Sequence, residues 1–132
     1  MKLLVDVAVK PAALATLQES GRFEIDCISP PAEMPRPLDP ARISDAHVLF
    51  CTFPPTNFAE MKAVRWVQVA STGYTQLFGL DLPARGIRAT NCRGCFDVPI
   101  AEWNIAMMVN LARDLRQMIR NQDATVWDRG AI

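Results

Sequence analysis

Apolar and polar residues alternate along the first ninety positions in a way that predicts strands and helices in turn. Short apolar or alternating runs predict five strands, at 3–9, 23–28, 46–51, 66–70 and 87–91. Helical spacing is found at 11–20 and 56–64, and 80–85 predicts a single helical turn. Strands that alternate with helices at such short spacing favour right-handed crossovers and a parallel sheet. The expected fold is α/β, a flavodoxin-like, doubly wound, five-stranded parallel sheet with strand order 2-1-3-4-5.

Helix signals at the ends of the predicted segments support this assignment. Pro11 stands in the first turn of the 11–20 helix, and Gly21 follows its end. Thr56 or Asn57 is the candidate cap of the 56–64 helix. Residues 29–40 hold five of the ten prolines of the chain and predict a surface loop without a domain boundary.

The segment from Pro99 to about Asn121 predicts one long helix of a different kind. Its first half, IAEWNIAMMVNLA, is apolar almost all the way round, so burial on several sides is expected. Such a helix connects domains or forms an interface. We therefore predict two regions, a flavodoxin-like domain over 1–98 and, over 99–132, a connecting helix followed by the start of a further domain.

Composition narrows the classes of partner. Lys plus Arg and Asp plus Glu number 14 each, so the zero net charge gives no reason to expect nucleic acid or a membrane surface as a partner. The N-terminal apolar run is too short and too charged for a signal peptide, and no run reaches the length of a membrane span. A cytoplasmic protein with free thiols is expected.

Candidate chemistry collects where the predicted strands end, because ligands of doubly wound sheets bind at the carboxyl ends of the strands. The turn Ser71-Thr72-Gly73-Tyr74 follows the fourth strand. Glycine there allows a positive φ and lets backbone N–H groups approach an anion, although it also fits a plain turn in which only geometry matters.

Residues 70–122 resemble the D-isomer-specific 2-hydroxyacid dehydrogenases. The resemblance depends on a set of residues in matching order: Gly73, Gly86, Asn91, Gly94, Val98, Ala101 and Glu102. It implies that amides of Thr72, Gly73 and Tyr74 bind a substrate carboxylate. Some members carry a basic residue where this chain has Thr72, which weakens the expected charge complement.

The resemblance also implies further contacts. Thr52 and Phe53, which end the third strand, would line the pocket for the substrate side chain, although a proline-stiffened loop explains them equally well. Ile100 would contact the nicotinamide of NAD or NADP, and the substrate would be a small 2-keto or 2-hydroxy acid. Glu102 is more simply a residue that starts the helix. By analogy with the family, a homodimer through the 99–121 helix is expected.

No G-x-G-x-x-G follows a strand in residues 1–132, so the pyrophosphate cradle of the cofactor domain is missing from this sequence. The family's catalytic Arg, Glu and His fall beyond the matched region, so no catalytic residue is assigned and the chain alone is expected to be inactive. The alternative is a stand-alone, non-enzymatic binding or dimerisation module.

Two other motifs invite a metal or an acid–base role. Cys92 and Cys95 form a CxxC, and Cys27 and Cys51 are predicted at the same sheet edge. In the expected strand order, however, Cys27 and Cys92 are roughly 20 Å apart, too far for one ion, so no metal site is predicted. His47 lies within a predicted strand, which favours a structural role.

Overall fold

The computed structural model of the protein describes residues 1–31 and 34–128. The chain divides into two compact units: the first is Met1–Arg93 and the second begins at Gly94. In the described residues, no helix combines the length and the apolar character needed to cross a bilayer.

The first unit is a parallel five-stranded sheet, as predicted. Its strands lie in the order β2-β1-β3-β4-β5. The chain adds β2 on one side of β1 and then crosses back to add β3, β4 and β5 on the other side, so the strand order reverses between β1 and β3. Each strand is one to three residues shorter than its sequence pattern at one or both ends. Their bounds are β1 Lys2–Asp6, β2 Glu24–Cys27, β3 Val48–Cys51, β4 Trp66–Val69 and β5 Arg88–Thr90.

One face of the sheet is completely buried across its three central strands, β1, β3 and β4. Leu4, Leu49 and Val67 are in register on the three central strands, and their side chains have no exposure to solvent. Segments that connect the strands cover this face with Ile43 and Met61, which are also fully buried. This core fixes the position of the strand ends because burial of each large apolar side chain stabilises the fold by about 1.5–3 kcal/mol.

The opposite face has a smaller core. Leu3, Val5 and Val48 are buried there, and Leu17 and Phe23 pack against them. Leu17 belongs to helix α1, Pro11–Glu19, which begins with proline and ends before Gly21 at φ +63°, as predicted.

The connections after β2 and β3 differ from the sequence prediction. A short helix α2, Pro40–Ile43, was not predicted, and the predicted helix at 56–64 is wrong, since only Phe58–Glu60 forms a 3₁₀ turn. The Asn57 side chain does not cap a helix, because it bonds to both backbone groups of Leu38, at 3.0 and 2.8 Å.

The connection after β4 contains another 3₁₀ turn, Thr75–Leu77, which the sequence pattern did not show. The predicted helical turn at 80–85 is a hydrogen-bonded turn in which Arg85 N donates to Asp81 O at 3.1 Å. It leads to Gly86 at φ +66°, a conformation that favours glycine.

The second unit contains two helices where one was predicted. Helix α3 is Asp97–Ala112 and helix α4 is Leu115–Asp123. Asp114 separates them with φ at +46°, and its carboxylate caps α4 by accepting a hydrogen bond from Gln117 N at 3.3 Å. Neither helix has a buried residue in the described chain, so the covering of α3 on several sides stays a prediction.

Candidate functional site

The carboxyl edge of the sheet brings the predicted site loops together. Because all five strands are parallel, the loops that follow β3, β4 and β5 leave the sheet at the same edge. Thr52, the 71–74 turn and Asn91 are therefore neighbours, as the sequence predicts.

The 71–74 turn is held to the loop after β5 by three hydrogen bonds. Cys92 N donates to Ser71 O at 3.0 Å, and Asn91 Nδ2 donates to Thr72 O at 2.7 Å. Thr72 Oγ1 donates to Cys92 O at 3.3 Å. The carbonyls of Ser71 and Thr72 thus accept hydrogen bonds from the loop after β5. Ser71 Oγ, which donates to Gly73 O at 2.7 Å, closes the turn on itself.

The amides of this turn remain available. Among the described residues, the N–H groups of Thr72, Gly73 and Tyr74 donate to no protein acceptor, and all three residues are exposed. A backbone N–H carries a partial positive charge and binds an anion when it points toward it. The turn therefore offers three backbone donors to a ligand.

The positive φ predicted for Gly73 is wrong, since its φ is not positive. A Cβ added there would have no atom within 4 Å outside its chain neighbours, so the described chain sets no steric demand for glycine at this position. The second predicted reason, close approach of an anion to the backbone N–H groups, stays a prediction.

Gln76 joins the 71–74 turn to the loop after β3. Its Nε2 donates to Thr52 O at 3.0 Å and to Ser71 Oγ at 2.9 Å. Both amide hydrogens are used, so the two loops are fixed relative to one another. Phe53 is half-buried in the second of these loops, followed by buried Pro54 and Pro55.

A groove of about 430 Å³ lies between these two loops. The first residues of the 3₁₀ turn, Thr75 and Gln76, form one side of it. Most of its remaining wall is carbon, contributed by Pro35, Phe53, Pro54, Pro55 and Leu80. Thr52 is linked to this groove through Gln76, so the structure brings both predicted loop residues next to the 71–74 turn.

An ion pair at the end of β1 was missed by the sequence analysis. Arg36 Nη2 donates to Asp6 Oδ1 at 2.9 Å and to Pro30 O at 2.7 Å. Arg36 O in turn accepts from Thr56 N at 3.0 Å. Arg36 thereby ties the loops after β2 and β3 to the central strand. The available signal was Asp6 itself, an acidic residue inside the apolar run LLVDVAV.

The cysteines do not form a reactive or metal-binding group in the described residues. Burial, reinforced by the nearby Asp6 charge, raises the pKa of Cys51 to about 12, so this thiol is not a nucleophile. Cys27 ends β2 and Cys92 follows β5, at opposite sides of the sheet. No set of three His, Cys, Asp or Glu in the described residues is placed to hold a metal ion.

His47 has the structural role that was predicted. It immediately precedes β3, at the amino end of the strand, where its Nδ1 accepts a hydrogen bond from Lys2 N at 3.2 Å. Ile100 and Glu102 are exposed residues of α3. The helix-start role predicted for Glu102 is wrong, because α3 begins at Asp97 and Asp97 is the acidic residue of its first turn. The contact of Ile100 with a nicotinamide stays a prediction.

Comparisons with known proteins find similarity in the solved structures and none by sequence. No family model matches the sequence, and no curated protein matches it. Among solved structures, D-lactate dehydrogenase from Aquifex aeolicus, complexed with NAD and lactic acid, matches 100% of the chain with a TM-score of 0.74 and 13% identity. A D-isomer specific 2-hydroxyacid dehydrogenase family protein from Aeromonas salmonicida matches 96% with a TM-score of 0.69 and 21% identity.

The chain has the fold of the corresponding part of the D-2-hydroxyacid dehydrogenases. Phosphoglycerate dehydrogenase from Lactobacillus plantarum also matches, over 97% of the chain, with a TM-score of 0.58 and 22% identity. The chain spans only 40% of the Aquifex and Aeromonas proteins and 41% of the Lactobacillus protein. A match of this extent at these identities establishes the fold.

Proposed function

We propose that this chain is the substrate-binding part of an oxidoreductase that transfers hydride between NAD(P)H and a small 2-keto or 2-hydroxy acid. The observation that carries the proposal is the set of amides at 72–74, which have no acceptor within the described part of the chain and lie at the carboxyl edge of a dehydrogenase-like sheet. Two solved relatives support the class of cofactor, since the Aquifex lactate dehydrogenase and a formate dehydrogenase from Staphylococcus aureus are both NAD complexes.

Each predicted site residue receives a role under this proposal. Thr72, Gly73 and Tyr74 bind the substrate carboxylate through their amides, and Thr52 and Phe53 border the side chain of the substrate. Ile100 provides an apolar contact for the nicotinamide. We keep the proposed boundary between the substrate-binding domain and the connecting segment at 98/99, which lies within α3 and beyond Gly94, where the second compact unit begins.

The reaction requires groups that residues 1–132 do not supply. The cofactor, when bound, delivers two electrons and a proton as hydride to the keto carbon, and a second proton goes to the keto oxygen. This chain holds the acid by its carboxylate and orients the keto carbon, which lowers the barrier by positioning. We assign no catalytic acid or base to it, and the chain by itself is inactive under this proposal.

Binding of the carboxylate can be tested with the 132-residue chain. Pyruvate should shift the backbone amide resonances of Thr72, Gly73 and Tyr74 in a ¹⁵N-correlated titration. Acetone, which has the ketone but no carboxylate, serves as the matched control and should leave them unchanged. Equal shifts with both compounds, or none with pyruvate, would refute the assigned role of the amides.

Activity is tested with the protein expressed from its native gene. NADH and NADPH oxidation should be followed with glyoxylate, hydroxypyruvate, pyruvate and larger 2-keto acids. Failure to oxidise either cofactor with any of them overturns the proposed reaction.

A homodimer formed through 99–121 and a cytoplasmic location complete the proposal. The support for the dimer is the exposure of large apolar side chains on α3, among them Trp103 at 64% and Leu111 at 84%. The same observation favours the second candidate, a non-enzymatic dimerisation module. Sedimentation of the chain at micromolar concentration tests the shared step, because a monomer contradicts association through this helix.

A further inference from the structure

The groove beside the 71–74 turn indicates what kind of side chain the proposed acid has. Its volume of about 430 Å³ lies within the usual range of small-molecule sites, roughly 300–1,000 Å³. Its wall is formed by three prolines, Phe53 and Leu80, with Thr56, Thr75 and Gln76 as the polar members. Among the described residues, no charged side chain lines it.

The groove is adjacent to the turn along the chain. Tyr74, the last residue of the turn, directly precedes Thr75 and Gln76. Gln76 has both amide hydrogens occupied, by Thr52 O and Ser71 Oγ, so its Nε2 has no further hydrogen to donate to a ligand. Gln76 lines the groove and contacts Ser71, so it links the groove to the turn. A ligand whose carboxylate is bound at 72–74 would reach, past Gln76, a space in which the described residues offer apolar contact and no cationic partner.

The wall of the groove is also stiff. Pro54 and Pro55 are buried, and the residue that follows them is fixed by the bond from Thr56 N to Arg36 O at 3.0 Å. Proline fixes φ, so little conformational entropy is lost when a ligand contacts this wall. A preformed apolar wall favours a ligand that covers it over a small ligand that leaves its apolar surface in contact with water.

We infer that the acid carries a bulky apolar side chain, aromatic or branched aliphatic, which occupies the groove between Phe53 and Leu80. This inference depends on the proposed function, since it names the class of 2-keto acid that the same site accepts. It disfavours small acids such as glyoxylate, and acids with a second carboxylate find no positive group in the groove.

The test compares four substrates with the protein expressed from its native gene. Phenylpyruvate and 4-methyl-2-oxopentanoate should give kcat/KM values at least about 10-fold above that of pyruvate, since one buried methylene already contributes about 10-fold or more. The dicarboxylate 2-oxoglutarate should be the poorest. Equal or better values for pyruvate or 2-oxoglutarate overturn the inference and leave the proposed function standing, whereas no activity with any 2-keto acid overturns the proposed function itself.

A pair of variants locates the preference. Phe53→Ala should lower the ratio of kcat/KM for phenylpyruvate to that for pyruvate about 10-fold. Phe23→Ala removes the same side chain from the opposite face of the sheet and should leave the ratio unchanged. A ratio that Phe53→Ala does not alter, or that Phe23→Ala alters equally, contradicts the assignment.

Binding to the unmodified 132-residue chain provides a readout that needs no catalysis and no substitution. Phenylpyruvate should shift resonances of Phe53 and Leu80 together with the amides at 72–74, and pyruvate should shift the amides alone. Shifts at 72–74 without any at Phe53 or Leu80 on addition of phenylpyruvate would place its ring elsewhere and overturn the inference.

Discussion

Arg36 Nη2 lies 2.9 Å from Asp6 Oδ1 at the carboxyl end of strand β1. The Asp6 side chain is 3% exposed to solvent and the Arg36 side chain is 33% exposed, so loss of the ion pair should cost more when the arginine is removed than when the aspartate is removed. Arg36→Met removes the guanidinium from beside a buried carboxylate and should reduce the free energy of unfolding by about 3 kcal/mol or more. Asp6→Asn leaves a guanidinium that water can still reach and should have a smaller effect. Urea denaturation measures both.

Lys2 and Asp45 form a comparison pair at the surface, with Lys2 Nζ 2.6 Å from Asp45 Oδ1. The hydrogen bond from Lys2 holds the pKa of Asp45 below its ordinary value of 3.8. A lowered pKa in the folded state means that the stabilisation is present above the ordinary pKa and is lost as pH falls through the folded value. An NMR titration should show this depression, and Lys2→Met should remove it. An unchanged Asp45 titration in that variant contradicts the assignment.

Cys51 should be the least reactive of the four thiols. Its side chain is fully buried and its pKa is raised to about 12, so at about pH 8 it is neither accessible nor ionised. Cys27 and Cys95 are exposed and should react first with a maleimide in the folded protein. Mass spectrometry after proteolysis identifies the modified sites. Labelling of Cys51 at the same rate as Cys95, without urea, would contradict this prediction.

Asp114 should be required for the separation of α3 and α4. Asp114→Ala loses the cap to Gln117 and puts an alanine at φ +46°, so a loss of about 1–2 kcal/mol in unfolding free energy is expected. Asp114→Asn keeps an acceptor and tolerates this conformation, and it serves as the matched control. Circular dichroism measures the helix content of both variants. An alanine variant that is more helical and more stable than the original protein would contradict the prediction, because it would mean that a single continuous helix is preferred.

The sheet could be predicted from the sequence because a buried parallel strand is recognised from a short apolar run. The run around Leu4 and the run around Leu49 are apolar at consecutive positions, as expected for strands covered on both faces. The alternation of strands with helices then indicated a parallel sheet, and the strand order followed from the flavodoxin-like fold class. The exact strand bounds were less predictable, since residues such as Ala46 and Ala70 continue the apolar pattern beyond the hydrogen-bonded ladder.

The connections were less predictable because their shapes depend on contacts far apart in sequence. The helix expected at 56–64 fails because Asn57 bonds to Leu38, 19 residues earlier, a contact that no local pattern reveals. The break at Asp114 interrupts a helical pattern that continues on both sides of it. Aspartate at a positive φ is uncommon, so the pattern favoured continuity.

The candidate site was predicted in position and not in detail. The strand-end rule placed the 71–74 turn and Thr52 at one edge, and the structure brings them together through Gln76. Neither the role of Gln76 nor that of Arg36 was foreseen, because both depend on side-chain hydrogen bonds between loops. The positive φ expected at Gly73 was also absent.

The buried face of the sheet and the loops at its carboxyl edge share almost no residues. Leu4, Leu49 and Val67 lie within strands, whereas Phe53 and the 71–74 turn lie beyond the strand ends. Substitutions at Phe53 and in the 71–74 turn should therefore carry little penalty to folding, and new ligand preferences can arise on an unchanged framework. This division is one physical reason why proteins that keep only 13–22% of these residues still share the architecture.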